Sequence, residues 1–385
     1  MKHIAIISTS FPSANDGSEA AGSFVADFAI ELSSHIQVTV IAPSLTSYEE
    51  RISPSLSIKR FQVPHLPLSV LKPSKPKDWL AIINTLNAGK FAIEQLVRET
   101  TVDYIFAFWA LPSGYWAKII GKTYNIPYFT WSLGSDIWSL GKIPIIKNVL
   151  KSVLKASHSN FADGYLLKEA VEKISGKQCF FLPSTRSLNV TEKKLLAEKS
   201  PYRLAFLGRW HPNKGIDILL ESFTKLSHSD WENIEEVKIC GGGGLEKEIT
   251  LACDNLKAQG HPITQCGYLT KEEATKLFIW ADYILIPSRI ESIPVVFSDA
   301  MKCSSPVICM PVGDLYRLLE EYEVGVLAKE VSVIAFANAI SMAIQNSPKQ
   351  YKNDLKQAEQ VFSLSHSVNL FLENSISQVR KEHAK

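Results

Sequence analysis

The sequence predicts an α/β protein of two domains, each a parallel sheet covered by helices on both faces. Three observations carry that expectation. Short runs rich in Val, Ile and aromatic residues alternate with longer segments of helical spacing. The alternation breaks at a polar stretch near residues 191–200 and restarts at Tyr202. The chain has 385 residues, the length of about two domains.

Taken in order, Ile4–Ser8 is an apolar run too short for a helix, and Ala21–Ser34 then carries Phe24, Phe28 and Leu32 at helical spacing. Gln37–Ala42 returns to a strand pattern. Helices are predicted over Trp79–Glu99, Ser113–Lys122 and Ile145–Ala156, with strands at Tyr104–Ala107 and Tyr128–Trp131 between them. Strand, helix, strand at this spacing implies a parallel sheet. After the break come a strand at Arg203–Leu207, a helix at Gly215–Leu226 and a strand at Val237–Cys240 that runs into four glycines. Lys271–Trp280 and Pro294–Cys303 read as helices around a strand at Tyr283–Ile286; Val307–Cys309 reads as a strand and Val331–Ile344 as a helix. The expected domains are therefore 1–190 and 201–360, joined by a hinge at Thr191–Ser200, with a helical tail at 361–385 packing back on the first.

Composition narrows the class. With 46% hydrophobic and 21% charged residues, the chain can build real cores, and disorder or a disulfide-stapled miniprotein is excluded. A net charge of +2 does not call for nucleic acid as a partner. Six scattered cysteines without a Cys-x-x-Cys pair read as free thiols in a reducing compartment, and the expected address is cytoplasmic. No apolar run is long enough to span a bilayer, and no signal-peptide core follows Met1. Charge is unevenly shared: residues 1–190 hold 19 Lys/Arg against 14 Asp/Glu. The segment Ile143–Lys155 interleaves Lys147, Lys151 and Lys155 with Ile145, Ile146, Val149, Val153 and Leu154. Two readings fit it: a domain helix with a solvated Lys face, or peripheral contact with an anionic membrane, to which Lys72, Lys75, Lys77 and Lys142 would add.

Ligands of open α/β domains bind at the carboxyl ends of the strands, and four predicted loops there carry suitable groups. Gly208-Arg209 ends one strand and Lys214 precedes a helix, so a guanidinium fork, an ammonium and helix N–H groups converge in a way that suits a diphosphate. Gly241–Gly244 with Leu245-Glu246 is more glycine than a turn needs, and close approach to a phosphate or base is one explanation and a permissive turn the other. Ser288, Glu291 and, eight residues later, Asp299 supply hydroxyl acceptors. In the first half, the loop Ser10–Gly22 and Leu133-Gly134-Ser135-Asp136 follow strands, and Asp136 is a candidate polar contact to a substrate. Trp109, Pro112 and Gly114 lie near another strand end, where an acceptor's apolar surface could rest or the core be filled. There is no Asp-x-Asp, no His-Glu-x-x-His, no phosphate-binding Gly-x-x-x-x-Gly-Lys and no Gly-x-Ser-x-Gly. Neither a metal nor another cofactor is expected, and Arg209 and Lys214 are the groups to neutralise phosphate.

In order along the chain, Phe11-Pro12 with Gly17 and Gly22, Gly134-Ser135-Asp136, Gly208-Arg209 with Lys214-Gly215, Gly243 with Leu245-Glu246, Pro287-Ser288, Glu291, Pro294, Asp299-Ala300-Met301 and Pro306-Val307 resemble the signatures of retaining glycosyltransferase family 4, of the GT-B class. The resemblance implies two Rossmann-like domains facing each other across a cleft, with a nucleoside-diphosphate sugar held mainly by the second. It implies catalytic roles for Arg209, Lys214, Glu291 and Asp136. Donor contacts are implied at Gly17, Gly22, Gly208, Gly243, Leu245, Glu246, Ser288 and Asp299, with Glu291 near the transferred sugar and Asp299 on the ribose. The implied acceptor is a glycan or lipid-linked sugar in cell-surface polysaccharide or lipopolysaccharide synthesis.

The chain departs from that pattern at several positions. Leu133 stands where many members carry His, Asp299 where a second Glu is usual, and Ser292 and Ser304 where glycines are common. Pro183-Ser184-Thr185 replaces a Pro-Asn-Gly, and Asp314 follows Gly313 where a second glycine is frequent. Two alternatives stay open on the sequence: a catalytically inactive sugar-nucleotide or glycan-binding partner protein, and a sugar-nucleotide epimerase.

Overall fold

A computed structural model describes residues 2–12, 22–190 and 194–383. The chain divides into two compact units, Met1–Arg186 with Leu364–Lys385, and Ser187–Ser363.

The first unit is built on an eight-stranded sheet: β1 (His3–Ile7), β2 (Gln37–Ser44), β3 (Tyr48–Ser53), β4 (Leu56–Gln62), β5 (Tyr104–Phe108), β6 (Tyr128–Ser132), β7 (Ser159–Ala162) and β8 (Cys179–Phe181), in the order β3-β4-β2-β1-β5-β6-β7-β8. Its central strands are buried on both faces, so they read as continuous apolar runs such as Ile-Ala-Ile-Ile instead of alternating. The sheet is parallel except at its edge, where β3 runs antiparallel to β4. That hairpin corrects the expectation of a wholly parallel sheet. Its outer strand, Tyr-Glu-Glu-Arg-Ile-Ser, is largely exposed and charged, which blunts the edge against further pairing.

Between these strands run α1 (Ser23–Ser33), α2 (Trp79–Glu99), α3 (Ser113–Tyr124), the single turn α4 (Ser135–Trp138), α5 (Pro144–Ala156) and α6 (Tyr165–Ser175). Apolar residues of α2, α3, α5 and α6 form the core on one face of the sheet. The opposite face is covered by α1 and by the tail, where Val368, Phe371, Ile376 and Val379 are buried. Phe371 stacks on Phe106 with ring centroids 4.1 Å apart and also touches Phe28, Phe129 and Phe161. An aromatic ring of that size in a packed core contributes several kcal/mol, about 3–5 on truncation to Ala.

The second unit holds a six-stranded, all-parallel sheet of β9 (Tyr202–Arg209), β10 (Ile234–Gly242), β11 (Ile263–Cys266), β12 (Tyr283–Ile286), β13 (Val307–Cys309) and β14 (Gly325–Leu327), ordered β11-β10-β9-β12-β13-β14. Its helices are α7 (Ile216–Phe223), α8 (His228–Glu232), α9 (Glu246–Ala258), α10 (Lys271–Trp280), α11 (Val295–Lys302), α12 (Leu315–Glu321), α13 (Val333–Ile344) and α14 (Lys352–Val361). The start of α10 is set by a capping box, with Thr270 accepting from Glu273 N–H and Glu273 from Thr270 N–H. The tail helices of the first unit are α15 (Leu364–Asn374) and α16 (Ile376–His383).

The structure changes unit at Arg186/Ser187 and at Ser363/Leu364. The described part of the expected hinge is not loose. Lys194 is 8% exposed, and its Nζ donates to the carbonyls of Phe278 (3.1 Å) and Ala281 and to Ser305 Oγ (2.8 Å). Ala197 accepts from Ser347 Oγ, and Glu198 pairs with Lys349. All six cysteines are free thiols. Among the described residues no helix is long and apolar enough to cross a membrane.

Candidate active site

The groups expected on the second unit collect at the carboxyl ends of β9, β10 and β12. Arg209 is the last residue of β9, and its side chain is exposed with no hydrogen bond or ion pair among the described residues. A short 3-10 turn over Pro212–Lys214 follows and closes on Gly215. Gly215 sits at φ +68°, and a Cβ there would come 1.9 Å from the carbonyl oxygen of Pro287. Only glycine lets the β9 and β12 loops approach this closely.

That approach brings Lys214 to Glu291, whose Oε1 it grips in an ion pair. Ser288 Oγ lies 3.4 Å from the same oxygen. Gly313, at φ +54°, packs against the backbone of this loop, since a Cβ would meet the main-chain carbonyl of Glu291 at 2.2 Å and that of Ser292 at 2.4 Å. Lys214 and Glu291 are 77 residues apart in sequence and meet only because β9 and β12 are neighbours in the sheet.

Arg289 holds this pair in place, a role the sequence does not reveal. It makes a two-pronged bond to Asp217 (2.7 Å on each oxygen), donates to the carbonyl of Pro212 at 2.6 Å, and its own N–H bonds Asn213 O at 2.8 Å. The contact holds the Asp217 carboxyl below its ordinary range and raises the guanidinium. A planar fork gripping a carboxylate at the first turn of α7 fixes the register of the turn that carries Lys214.

The glycine run has a structural explanation first. Gly241 (φ +136°) has no room for a Cβ because the carbonyl of Gly208 would lie 1.9 Å away, and a Cβ on Gly243 (φ +148°) would fall 2.8 Å from Trp210 O. Trp210 N–H donates to Gly242 O, and Leu245 N–H to Trp210 O. The close approach of Gly241 and Gly243 is thus to the chain's own Gly208–Trp210 strand end. Gly243, Gly244 and Glu246 are exposed, Leu245 is half-buried, and a Cβ on Gly244 would meet nothing within 4 Å.

Two further carboxylates of the expected set are buried. Asp299 is fully buried in α11, and Lys302 Nζ stands 3.0 Å from its Oδ1. One turn of helix brings the two together. Asp136, in the first unit, is also fully buried. Its oxygens accept from the N–H groups of Ala110 (2.6 Å), Ile137 (3.1 Å) and Leu133 (3.3 Å). Burial pushes its pKa up to about 6 against the pull of those N–H donors. It ties the loop after β5 to the loop after β6, and its carboxyl does not meet solvent. In this arrangement it positions those loops.

The neighbouring residues of the first unit have equally local explanations. Leu133 is half-buried against the core and fills apolar space where a polar group would be desolvated. Trp109 holds φ +67°, an unusual conformation for a bulky residue, with its N–H on Trp131 O at 2.8 Å. Gly22 (φ +72°) is required because a Cβ would lie 2.4 Å from Ser10 O. Buried Arg60 donates to the carbonyls of Phe11, Pro12 and Pro43 and so anchors the chain just after β1. Gly17 lies outside the described residues. Among the described residues no three His, Cys, Asp or Glu side chains gather as a metal-ligand set.

Set beside known proteins, the fold has clear counterparts. Sucrose-phosphate synthase from Thermosynechococcus elongatus superposes over 100% of both chains with a TM-score of 0.75 at 19% identity. Anabaena HepE, solved in complex with UDP, covers 98% of this chain and 100% of its own with a TM-score of 0.72 at 16% identity. This is the fold of the GT-B glycosyltransferases, and each unit is a Rossmann-like half of it. Residues 189–361, nearly the whole second unit, match the family model described as Glycosyl transferases group 1. The chain is also 28% identical over 262 residues to the Bacillus subtilis (strain 168) protein named as the teichuronic acid biosynthesis glycosyltransferase TuaC, a match spanning 63% of this chain and 62% of TuaC.

Proposed function

We propose that the protein is a retaining glycosyltransferase of family 4 that moves a sugar from a nucleoside-diphosphate sugar to a glycan or lipid-linked acceptor, on the cytoplasmic side, in the synthesis of a cell-surface polysaccharide or lipopolysaccharide. The observation that carries this reading is the uncommitted guanidinium of Arg209 beside the clamped Lys214–Glu291 pair at the ends of adjacent strands. The group 1 domain match and the likeness to TuaC support it. The solved complexes of HepE make a uridine nucleotide the first donor to try.

Arg209 and Lys214 would hold the two phosphates and stabilise the negative charge that develops as the nucleotide leaves, with little reorganisation because Arg289 and Gly215 already fix the loop. Glu291, on the other side of the Lys214 ammonium, would accept from a sugar hydroxyl. Among the described residues we assign no side chain as general base. The departing phosphate is then the group to take the acceptor's proton on the same face, which retains the anomeric configuration. An α-linked donor therefore gives an α-product, and a β-product seen by NMR would overturn the retaining mechanism.

Calorimetric titration with UDP-, GDP-, ADP- and CMP-sugars, with and without a chelator, tests the donor site without knowledge of the acceptor. One donor should bind, and Arg209→Ala should weaken it by about 10- to 100-fold, as expected for a lost charge-assisted hydrogen bond. Absence of binding by the folded protein to every donor would overturn the proposal. The buried Asp299–Lys302 pair and the packed Leu133 favour a second reading, an inert sugar-nucleotide-binding partner. Binding without turnover across an acceptor panel would support that reading.

A further inference from the structure

We propose that the outer surface of α2 and α5 in the first unit docks on an anionic lipid bilayer. The proposal goes beyond the transfer reading and does not rest on it.

The first observation is a set of apolar side chains on α2 left exposed among the described residues. Trp79, Leu80, Ile83 and Phe91 are 55%, 71%, 53% and 67% exposed. At 100° per residue they fall within an arc of about 120°, which Asn87, Lys90 and Glu94 share further along the helix. The opposite side of the same helix, with Ala92, Ile93 and Leu96, is in the core. The first turns of the helix are thus apolar on two sides, where a helix facing water needs only one. Val70, just before it, is also 54% exposed.

The second observation is charge. Lys72, Lys75 and Lys77 lead into α2, and Lys142, Lys147, Lys151 and Lys155 precede or lie on α5; all seven are exposed and none is in an ion pair among the described residues. Residues 139–156 contain no Asp or Glu, and residues 66–93 contain only Asp78. The Asp78 carboxylate is engaged by the N–H of Lys72 at 2.9 Å.

Tertiary packing joins the two sets. α3 lies between α2 and α5 on one face of the sheet: Trp116 Nε1 of α3 donates to Leu86 O of α2, and Tyr128 OH at the sheet donates to Val153 O of α5. Gly114 of α3 lies so close to Val153 that a Cβ would meet its methyl at 2.8 Å. The uncommitted lysines and the apolar stripe therefore share one side of the unit, and Ile145, 80% exposed at the start of α5, adds a further apolar group. Apolar side chains flanked by unpaired lysines match the interface of an anionic bilayer, where rings and aliphatic groups enter the acyl boundary and ammonium groups meet phosphates. A second copy of the chain would bring seven further unpaired lysines against these and be repelled.

The test uses the full chain and two kinds of vesicle, phosphatidylcholine alone and phosphatidylcholine mixed with phosphatidylglycerol, in a flotation assay at low and high salt. The protein should float with the anionic vesicles only, and less so at high salt. Each lysine at such a surface is worth roughly fivefold in affinity, so Lys72→Glu/Lys75→Glu/Lys77→Glu should lose binding by about a hundredfold or more. Leu80→Ser/Ile83→Ser removes exposed apolar groups and should also release the protein, while the thermal melts of both variants match the parent. Equal binding to both vesicles, no binding to either, or retained binding by both variants would overturn the proposal. So would a dimer in lipid-free sedimentation that Leu80→Ser/Ile83→Ser dissociates.

Discussion

Replacing Lys214 by Met separates what the Lys214–Glu291 pair does for the fold from what it does for a ligand. At an effective dielectric of ~20 and a charge separation of about 3 Å, the gross attraction is roughly 5 kcal/mol. Both side chains are partly desolvated, 27% and 16% exposed, so most of that is offset and a net of roughly 1–3 kcal/mol remains. Lys214→Met strands the Glu291 carboxylate with only Ser288 Oγ at 3.4 Å, and should lose that full amount. Glu291→Gln leaves an ammonium on a flexible stem that can turn to water, so its loss should be smaller, about 0.5–1 kcal/mol. The double variant Lys214→Met/Glu291→Gln should recover much of the stability, with a coupling energy of about 1–2 kcal/mol by denaturant titration. Affinity for UDP should behave differently. It should fall by about 10- to 100-fold in Lys214→Met and stay low in the double variant, because the phosphate partner is missing from both. Glu291→Gln should bind UDP as well as the parent or better, since a like charge near the phosphates is gone. A double variant that is stable and binds UDP with parental affinity would refute the placing of Lys214 at the donor phosphates.

Three further outcomes follow from particular contacts. Arg289→Ala should cost about 1 kcal/mol of stability, the upper range for an exposed ion pair, and weaken UDP binding several-fold through the loosened Pro212–Lys214 turn. Arg289→Lys should not restore it, because an ammonium cannot grip both oxygens of Asp217; parental UDP affinity in Arg289→Ala would show that the turn holds itself. Lys194 has its pKa lowered from 10.5 to about 7 by burial. The unfolded chain binds that proton between these values and the folded chain does not, so stability should rise with pH from about 7 to 10.5 by up to ~1.4 kcal/mol per unit. Comparing denaturation of the parent and Lys194→Met at pH 7 and pH 9 checks this, and equal slopes in the two would contradict it. Ser304 holds φ +51°, so Ser304→Gly should gain about 1 kcal/mol in thermal unfolding by relieving a left-handed conformation; a lower melting temperature would show that the serine is favoured there.

The α/β class was legible because it rests on local information. A strand buried on both faces must be apolar throughout, as in Ile4–Ile7 or Tyr283–Ile286, and a helix on a sheet must repeat its apolar positions every three to four residues. The β3–β4 hairpin was not legible in this way, because an exposed, charged edge strand such as Tyr48–Ser53 carries no such pattern.

At the site, residue chemistry pointed to Arg209, Lys214 and Glu291 as groups able to bind phosphate and hydroxyl. It said nothing of Arg289 and Asp217, which are 72 residues apart and acquire meaning only as partners. Tertiary structure alone decided that Asp136 and Asp299 are buried among N–H groups and Lys302, that Gly241 and Gly243 yield to the chain's own backbone, and that the lysines before α2 and on α5 share one side of the unit. The physical reason is common to all of these. Composition and periodicity determine what each segment can bury, whereas exposure, pairing and close approach are properties of two segments at once. Those properties exist only after the sheet has ordered its strands.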